Sequence, residues 1–377
     1  MVTRIINGKV LIDGQFRETE LYFDGKTIIG TGKDLPFDRT IDAKGNYVTA
    51  GFVDLHCHGG GGGDFADGDP ESVKKATLTH LKHGTTTLFP TISARDFETL
   101  EKAVAVLDAV KDQYPSLAGT HLEGPYFSPA QLGAQNANAI KRPSPEEFGR
   151  VLEQHKIARW DYAPDVDEDH VFLNALKKAG VVASAAHTDA TCTQMEDAAD
   201  NGCNLITHLY SCTSTIRREF GFRIAGVTEA AYLRDDINAE LIADGCHLPN
   251  TLLRLAYKLK GPDKLALVTD AMRATGAAVE GLCEIAGNPC IIEDGVAKLP
   301  DRSAFAGSIA TADRLVRTCV GAGIPLTDCV KMITETPAKL MGLAAKGRLN
   351  VGCDADIVIF DENISVKTVI LQGEIVA

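Results

Sequence analysis

Apolar residues recur along the chain in short runs that alternate with amphipathic, helix-like segments. Two of these segments, residues 71–84 and 169–180, repeat apolar residues with helical spacing and end at a glycine suited to a helix C-terminus. Between such segments, apolar runs predict buried β-strands. These runs cover residues 51–56, 85–92, 117–123, 158–164, 181–187, 203–209, 238–244 and 265–270.

The alternation of strand and helix predicts a parallel sheet with its helices outside it. Eight consecutive units favour an α/β fold of the (β/α)8 TIM-like barrel type. An open, doubly wound sheet is the structural alternative, because it is built from the same units. In a barrel the carboxyl ends of all strands meet on one face, and active sites are built there.

The two ends of the chain have a different pattern, of short β segments separated by Gly and Asp-Gly turns. Neither end has enough apolar surface for a core of its own. We therefore expect residues 1–48 and 345–377 to pair into one small β domain, while residues 49–344 form the catalytic barrel. A length of 377 residues accommodates both units, since a barrel takes roughly 250 residues.

Charge and cysteine content narrow the possible partners and the compartment. The formal net charge of −13 disfavours binding to nucleic acid or to an acidic membrane surface. The N-terminal sequence lacks the pattern of a signal peptide, and no apolar run approaches the ~20 residues that span a bilayer. Ten cysteines are scattered singly, without CxxC pairs. We therefore expect a cytoplasmic protein.

Five polar side chains lie at or near the ends of the first, third, fifth, sixth and eighth strand runs: His56, Glu123, His187, His208 and Asp270. In a barrel they would converge on one point. Imidazoles and carboxylates together suit a transition ion such as Zn²⁺ or Fe²⁺. Each residue alone also fits a buried or helix-capping role, so the coincidence of all five carries the prediction.

His56 and His58 form an HxH pair at the end of the first run. Alternate residues of a strand face the same way, so both imidazoles can reach one ion. A bound ion lowers the pKa of water toward ~7 and polarises a carbonyl group. Asp270 is the candidate acid and base, and His247, just after the seventh run, is the candidate to hydrogen-bond the developing oxyanion.

Several segments together resemble the N-acetylglucosamine-6-phosphate deacetylases of the amidohydrolase superfamily, over essentially the full chain. They are AGFVDLHCHGGGG, HLEGPYFSP, SAAHTDAT, THLYS, ELIADGCHLP, LVTDAMRATG, AGSIAT and TPAKLMGLAAKGRLNVGCDADIVIFD. The resemblance implies an amidohydrolase-type barrel with a small β-sandwich domain built from both chain termini.

The same resemblance assigns roles to single residues. It implies that Glu123, His187 and His208 hold the essential metal, and that Asp270 is the general base and then the acid. His56 and His58 would hold a second ion where one is present, so that each subunit binds one or two ions. The implied substrate-binding residues are Gln135, Ser211, Cys212, Arg218, His247 and Ser308.

The chain departs from the family pattern after the sixth strand run. The family commonly reads H-L-[FY]-N-A-M there, whereas this chain reads HLYSCTS, which places Ser211 and Cys212 where an amide and backbone help to bind phosphate. Arg218 survives in RREFGFR, but Phe220 replaces a proline. Arginines at this point would provide charge for an anionic substrate, and a solvated loop is the alternative explanation.

The resulting hypothesis is a homodimeric deacetylase that acts on N-acetylglucosamine 6-phosphate. N-Acetylgalactosamine 6-phosphate and an unphosphorylated acetamido sugar are the alternative substrates. A cyclic-amide hydrolase of the dihydroorotase type is disfavoured, because Glu123 stands where that family has its bridging lysine. A non-catalytic sugar-binding protein is disfavoured too, because a binder has no use for Asp270.

Overall fold

The computed structural model describes residues 1–32, 35–277, 281–285 and 288–377. The N-terminal strands are β1 (Val2–Ile12), β2 (Gln15–Asp24), β3 (Thr27–Thr31), β4 (Arg39–Asp42) and β5 (Tyr47–Ala50). The strands from the first to the sixth barrel strand are β6 (Phe52–Cys57), β7 (Gly59–Gly60), β8 (Gly63–Asp64), β9 (Thr85–Ser93), β10 (Thr120–Glu123), β11 (Ile157–Tyr162), β12 (Val182–Ala185) and β13 (Leu205–Ile206). The remaining strands are β14 (Arg217–Glu219), β15 (Phe222–Ile224), β16 (Asn238–Ile242), β17 (Leu265–Val268), β18 (Gly281–Ile285), β19 (Asn288–Glu293), β20 (Val296–Lys298), β21 (Phe305–Ser308), β22 (Ile357–Phe360), β23 (Val366–Leu371) and β24 (Glu374–Ile375).

The α-helices follow the barrel strands and then close the domain. They are α1 (Pro70–Lys82), α2 (Phe97–Val110), α3 (Pro145–Gln154), α4 (Val171–Ala179), α5 (Cys192–Asp200), α6 (Val227–Leu233), α7 (Asn250–Lys260), α8 (Ala312–Gly321), α9 (Leu326–Ile333) and α10 (Glu335–Leu340). The predicted glycine stop is present at α4, where Gly180 takes a left-handed conformation. Within the described ranges no helix has the length and apolar character needed to cross a bilayer.

The central sheet is a parallel barrel with its strands in the order β17-β16-β13-β12-β11-β10-β9-β6. Each predicted strand run overlaps one of these strands. The first and last strands come together where the backbone N–H of Asp270 donates to the carbonyl of His56 at 2.9 Å. The barrel prediction is therefore confirmed, and the doubly wound alternative is wrong, because the strands follow each other around the sheet in chain order.

The two chain ends share one eight-stranded sheet, in the order β24-β23-β22-β5-β1-β2-β3 with β4 beside β1. The link is made by β22, which runs antiparallel to β5. Ile5, Val10, Leu21, Ile357 and Ile370 are fully buried in its core. The expected pairing of the termini is confirmed, whereas the boundaries at residues 48 and 345 stay a prediction.

Besides the two-residue strands β7 and β8, two smaller β elements were not predicted from the sequence. Strands β14 and β15 form a hairpin after the sixth barrel strand. Strands β18 to β21 form an antiparallel sheet between the eighth barrel strand and α8. This second element reaches the barrel through Ser308, whose N–H donates to the carbonyl of Asp270 at 2.9 Å. Both elements therefore lie next to the carboxyl ends of barrel strands.

An aromatic cluster supports the barrel behind β10 and β11. The ring of Phe172 lies 4.8 Å from Tyr126, 5.1 Å from Phe148 and 5.1 Å from Trp160 between centroids. The indole N–H of Trp160 donates to the carbonyl of Gly124 at 2.8 Å. The cluster thus fixes the backbone just beyond the end of β10.

We predict that Phe172→Ala lowers the free energy of unfolding by about 3–5 kcal/mol, because it leaves a cavity among packed rings. Urea unfolding followed by fluorescence measures the change. The neighbouring Val171→Ala is the matched control, since Val171 is 49% exposed and its truncation should change stability by less than about 0.5 kcal/mol. Equal effects of the two substitutions would contradict this account of the cluster.

Candidate active site

Glu123 lies at the centre of the polar cluster at the carboxyl face of the barrel. It ends β10, and only 2% of its surface is exposed. Its Oε1 lies 3.1 Å from Nε2 of His187 and 3.1 Å from Nε2 of His208. These histidines follow β12 and β13. One carboxylate oxygen is thus shared by two imidazoles that are 64 and 85 residues away in sequence.

The tautomer of His187 shows what this cluster is suited to hold. Its Nδ1 lies 2.9 Å from the backbone carbonyl of Gln131, which can only accept, so Nδ1 carries a proton. Nε2 of His187 then faces Oε1 of Glu123 at 3.1 Å, where it can either donate a second proton to that oxygen or direct its lone pair at a cation bound between them. The donor set therefore fits a divalent ion such as Zn²⁺ or Fe²⁺.

The HxH pair completes the cluster on the opposite side. Nε2 of His56 and Nε2 of His58 are 3.1 Å apart. His58 Nε2 lies 3.4 Å from Oε2 of Glu123 and 3.2 Å from Oδ1 of Asp270. His56 Nε2 lies 3.5 Å from the same oxygen of Asp270. Glu123 and Asp270 therefore both face the paired imidazoles.

Local backbone conformation directs three of these side chains into the site. His187, His208 and Asp270 have positive φ angles of 45°, 33° and 46°. Residues other than glycine adopt this region at a cost of about 1–3 kcal/mol each. All three stand directly after barrel strands, where the chain must turn away from the sheet. Such strain is typical of functional sites.

Asp270 is held in its charged form by the paired imidazoles. Burial opposes ionisation of the carboxyl group, but His56 and His58 overcome it and keep the pKa of Asp270 below its usual range. A charged carboxylate at this position can accept a proton. Its place beside the HxH pair, with 9% of its surface exposed, leaves it open to the cavity.

His247 is oriented by the carboxylate of Asp244. Nδ1 of His247 lies 2.8 Å from Oδ2 of Asp244, and the backbone N–H of His247 donates to Oδ1 at 2.8 Å. Burial works against ionisation of Asp244, yet its contacts with His247 hold the pKa of that carboxyl below the ordinary value. The imidazole is therefore fixed with Nε2 available to a ligand.

A cavity of about 280 Å³ opens over these groups. Gln135 forms part of its wall, and its amide nitrogen donates to Oε2 of Glu123 at 2.7 Å. No lysine or arginine lines the cavity among the residues that the structure describes. The polar and aromatic lining comprises His58, Ser93, Glu123, Gln135, His187, His208, Tyr210, Ser211, Cys212, His247, Asp270 and Phe305.

Two residues that were predicted to bind substrate do not line this cavity. Arg218 is exposed on β14, and no carboxylate of the described residues lies within ion-pair distance of it. Ser308 is fully buried, and its Oγ accepts a hydrogen bond from the N–H of Ala310 at 2.8 Å. Its backbone N–H holds the carbonyl of Asp270 instead. The binding roles of both residues stay predictions.

Several charged residues inside the barrel were missed by sequence reasoning, and three of them form one network. Arg159, Asp161 and Glu240 are fully buried and lie below the histidines. The available signal was a charge within an apolar strand, as in ARWDYAP and NAELIAD. Such residues are rarely buried unless they are paired. Charged positions inside the runs therefore pointed to a polar network within the barrel.

The sequence model of the amidohydrolase family matches residues 47–376. N-Acetylglucosamine-6-phosphate deacetylase of Lysinibacillus sphaericus is 33% identical over 89% of this chain and 87% of its own length. The crystal structure of N-acetylglucosamine-6-phosphate deacetylase from Pasteurella multocida superposes with a TM-score of 0.94 at 29% identity, over the full length of both chains. A mutant of the Mycobacterium smegmatis enzyme in complex with N-acetyl-D-glucosamine-6-phosphate gives 0.90 at 31% identity, over 100% of this chain and 98% of the other. These matches confirm the resemblance found in the sequence. The chain therefore belongs to the amidohydrolase family, in the branch of the N-acetylglucosamine-6-phosphate deacetylases.

Proposed function

We propose that this protein is a metal-dependent deacetylase that hydrolyses N-acetylglucosamine 6-phosphate to glucosamine 6-phosphate and acetate. The observation that carries the proposal is the convergence of Glu123, His187 and His208 opposite Asp270 and His247 across one cavity. The relative from Lysinibacillus sphaericus and the structure from Pasteurella multocida are named for that activity. The ten cysteines are free thiols, which supports a cytoplasmic location.

The residues divide the metal-binding and proton-transfer roles among them. Glu123, His187 and His208 would hold the first ion, and His56 and His58 a second. A divalent ion such as Zn²⁺ or Fe²⁺, when bound there, would lower the pKa of water toward neutrality and would polarise the acetamide carbonyl. The orientation of Glu123 by Gln135 keeps its other oxygen directed at the imidazoles.

Asp270 and His247 would act directly on the substrate. Asp270 takes a proton from the attacking water and then gives it to the nitrogen as the carbon–nitrogen bond breaks. His247, backed by Asp244, can carry a second proton on Nε2 and donate a hydrogen bond to the oxyanion. Asp270 would thus take up the proton that water loses, while His247 would stabilise the negative charge that develops on the carbonyl oxygen.

A cation would stabilise the phosphate group, and the described residues that line the cavity include no lysine or arginine. Arg218 lies on the hairpin β14–β15, whose Ile216, Phe220 and Phe222 are 60%, 101% and 74% exposed. Exposed apolar side chains of this kind are typical of contact surfaces. We propose that the hairpin packs on a second copy of the chain and that Arg218 neutralises phosphate in the resulting homodimer.

An unphosphorylated acetamido sugar is the second candidate substrate. It is favoured by the absence of lysine and arginine from the described cavity lining. Ser211 and Cys212 also stand where the family commonly has an amide and an alanine. Rates on phosphorylated and free sugars, and on the gluco and galacto epimers, distinguish the candidates.

We predict that Asp270→Asn lowers kcat about 10²–10⁴-fold, the usual contribution of a general acid and base. Acetate release measures turnover. Metal content by elemental analysis is the control, and it should remain at the wild-type value because asparagine keeps an oxygen facing the histidines. Near-normal turnover by a metal-loaded variant would show that another group transfers the proton.

We predict that Arg218→Ala raises KM for the phosphorylated sugar at least 10-fold, because it removes a charge-assisted contact to phosphate. The value for the unphosphorylated sugar should not change. Arg217→Ala is the matched control, since Arg217 is already paired with Glu219 at 2.7 Å and with Asp189 at 3.7 Å. A similar loss on both sugars would count against phosphate recognition by Arg218.

We predict that Phe220→Ser shifts the protein from dimer to monomer at micromolar concentration, because it removes the most exposed ring of the hairpin. Sedimentation velocity measures the association state. Leu282→Ser is the control. Leu282 is an exposed apolar residue too, at 78%, but it lies on β18, outside the hairpin. A variant that stays dimeric would assign the contact to another surface.

A further inference from the structure

A buried charge network lies inside the barrel below the histidines, and no step of the reaction uses it. The guanidinium of Arg159 is fully buried and pairs with two carboxylates. Its Nε donates to Oδ1 of Asp161 at 3.0 Å, and its Nη1 donates to Oε1 of Glu240. Its Nη2 donates to the hydroxyl of Thr207 at 2.7 Å. The network therefore joins strands β11 and β16 and the residue after β13.

The formal charges of this network do not cancel. One guanidinium faces two carboxylates, which leaves an excess of one negative charge in the barrel interior. A buried charge of this kind is unfavourable unless a compensating charge lies nearby. A cation held by the histidines above would provide that compensation. The network is thus arranged to favour positive charge at the carboxyl face.

The second oxygen of Glu240 makes the link to the histidines. Oε2 lies 3.6 Å from Nδ1 of His56 and 3.4 Å from the backbone N–H of His208. Nδ1 of His56 is buried and has no closer hydrogen-bond partner among the described residues. A proton on Nδ1 is therefore stabilised by Glu240, which leaves the lone pair of His56 on Nε2, the atom that faces His58.

We infer that Glu240 is a positioning residue that prepares His56, and with it the HxH pair, to hold the second metal ion of a two-ion centre. The inference rests on the metal centre of the proposed function and adds a residue that lies outside the cavity lining. Arg159 keeps the Glu240 side chain in place from below. A purely structural role is the competing explanation, in which Glu240 serves only as a partner for Arg159.

The test compares two substitutions that each remove one carboxylate partner of Arg159. Glu240→Gln keeps the shape of the side chain and loses its charge. Asp161→Asn is the matched control, because Asp161 is equally buried and also pairs with Arg159, but it contacts His121 at 3.0 Å rather than Nδ1 of His56. Zinc content by elemental analysis and zinc affinity by chelator competition are measured on all three full-length proteins without substrate.

The expected result is two zinc ions per chain in the wild type and in Asp161→Asn, which loses the same negative charge but keeps the contact of Glu240 with Nδ1 of His56. Glu240→Gln should hold one ion tightly and bind the second about 10–100-fold more weakly, as is usual when the outer partner of a metal-binding histidine is lost. Both variants should change thermal stability to a similar degree, because each replaces one of the two carboxylates that contact Arg159 with an amide. A difference between the two variants in affinity for the second ion distinguishes a positioning role of Glu240 from a purely structural one.

Three outcomes would overturn the inference: one ion in the wild type, two ions of unchanged affinity in Glu240→Gln, or equal loss of the second ion in both variants. Since the measurement uses zinc alone, it does not depend on the substrate. A protein that shows the expected zinc binding but releases no acetate would refute the proposed function and leave the role of Glu240 supported.

Discussion

The structure depends on one electrostatic constraint, the crowding of a carboxylate and four imidazoles at the mouth of the barrel. Glu123 lies within 3.1–3.7 Å of nitrogen atoms of His56, His58, His187 and His208. Burial removes the water that would otherwise separate these groups. The imidazole of His187 is fixed by its Nδ1 contact, so that Nε2 faces the carboxylate. Such a cluster is stable only with positive charge at its centre, which is also what hydrolysis of an amide requires.

The parts of the protein that surround this cluster hold it in place. Parallel strands deliver its members from distant points of the sequence, and left-handed residues turn His187, His208 and Asp270 inward. Backbone strain of this kind persists only where the surrounding structure enforces it. The aromatic cluster behind β10, the sheet β18–β21 and the buried Arg159 each attach to a residue of the site or to its neighbour. Rigidity of the barrel is thus the source of the site geometry.

Much of the fold was predictable, because a strand that is buried on both sides leaves a continuous apolar run in the sequence. The runs gave all the barrel strands, and the polar residues at their ends gave the cluster of Glu123 and the histidines. The hairpin β14–β15 was not predicted, since short exposed strands carry little apolar pattern. The sheet β18–β21 was missed although the Asp294-Gly295 turn between β19 and β20 is a hairpin signal. Ser308 illustrates a further limit. The segment AGSIAT predicts a serine beside the site, but its hydroxyl accepts a hydrogen bond from the N–H of Ala310 within the fold.

The two halves of the site are therefore under different physical constraints. The amide-cleaving half is made of side chains at barrel strand ends. A shift of one residue along a strand would turn its metal-binding side chain away from the site. The proposed phosphate-binding half would depend on the loop at Ser211 and Cys212 and on an exposed hairpin, where sequence changes are better tolerated than in the barrel core. The departures from the family pattern are concentrated in that second half. Amide hydrolysis needs only the first half. The residues of this chain therefore define the type of reaction more closely than they define the group at the far end of the substrate.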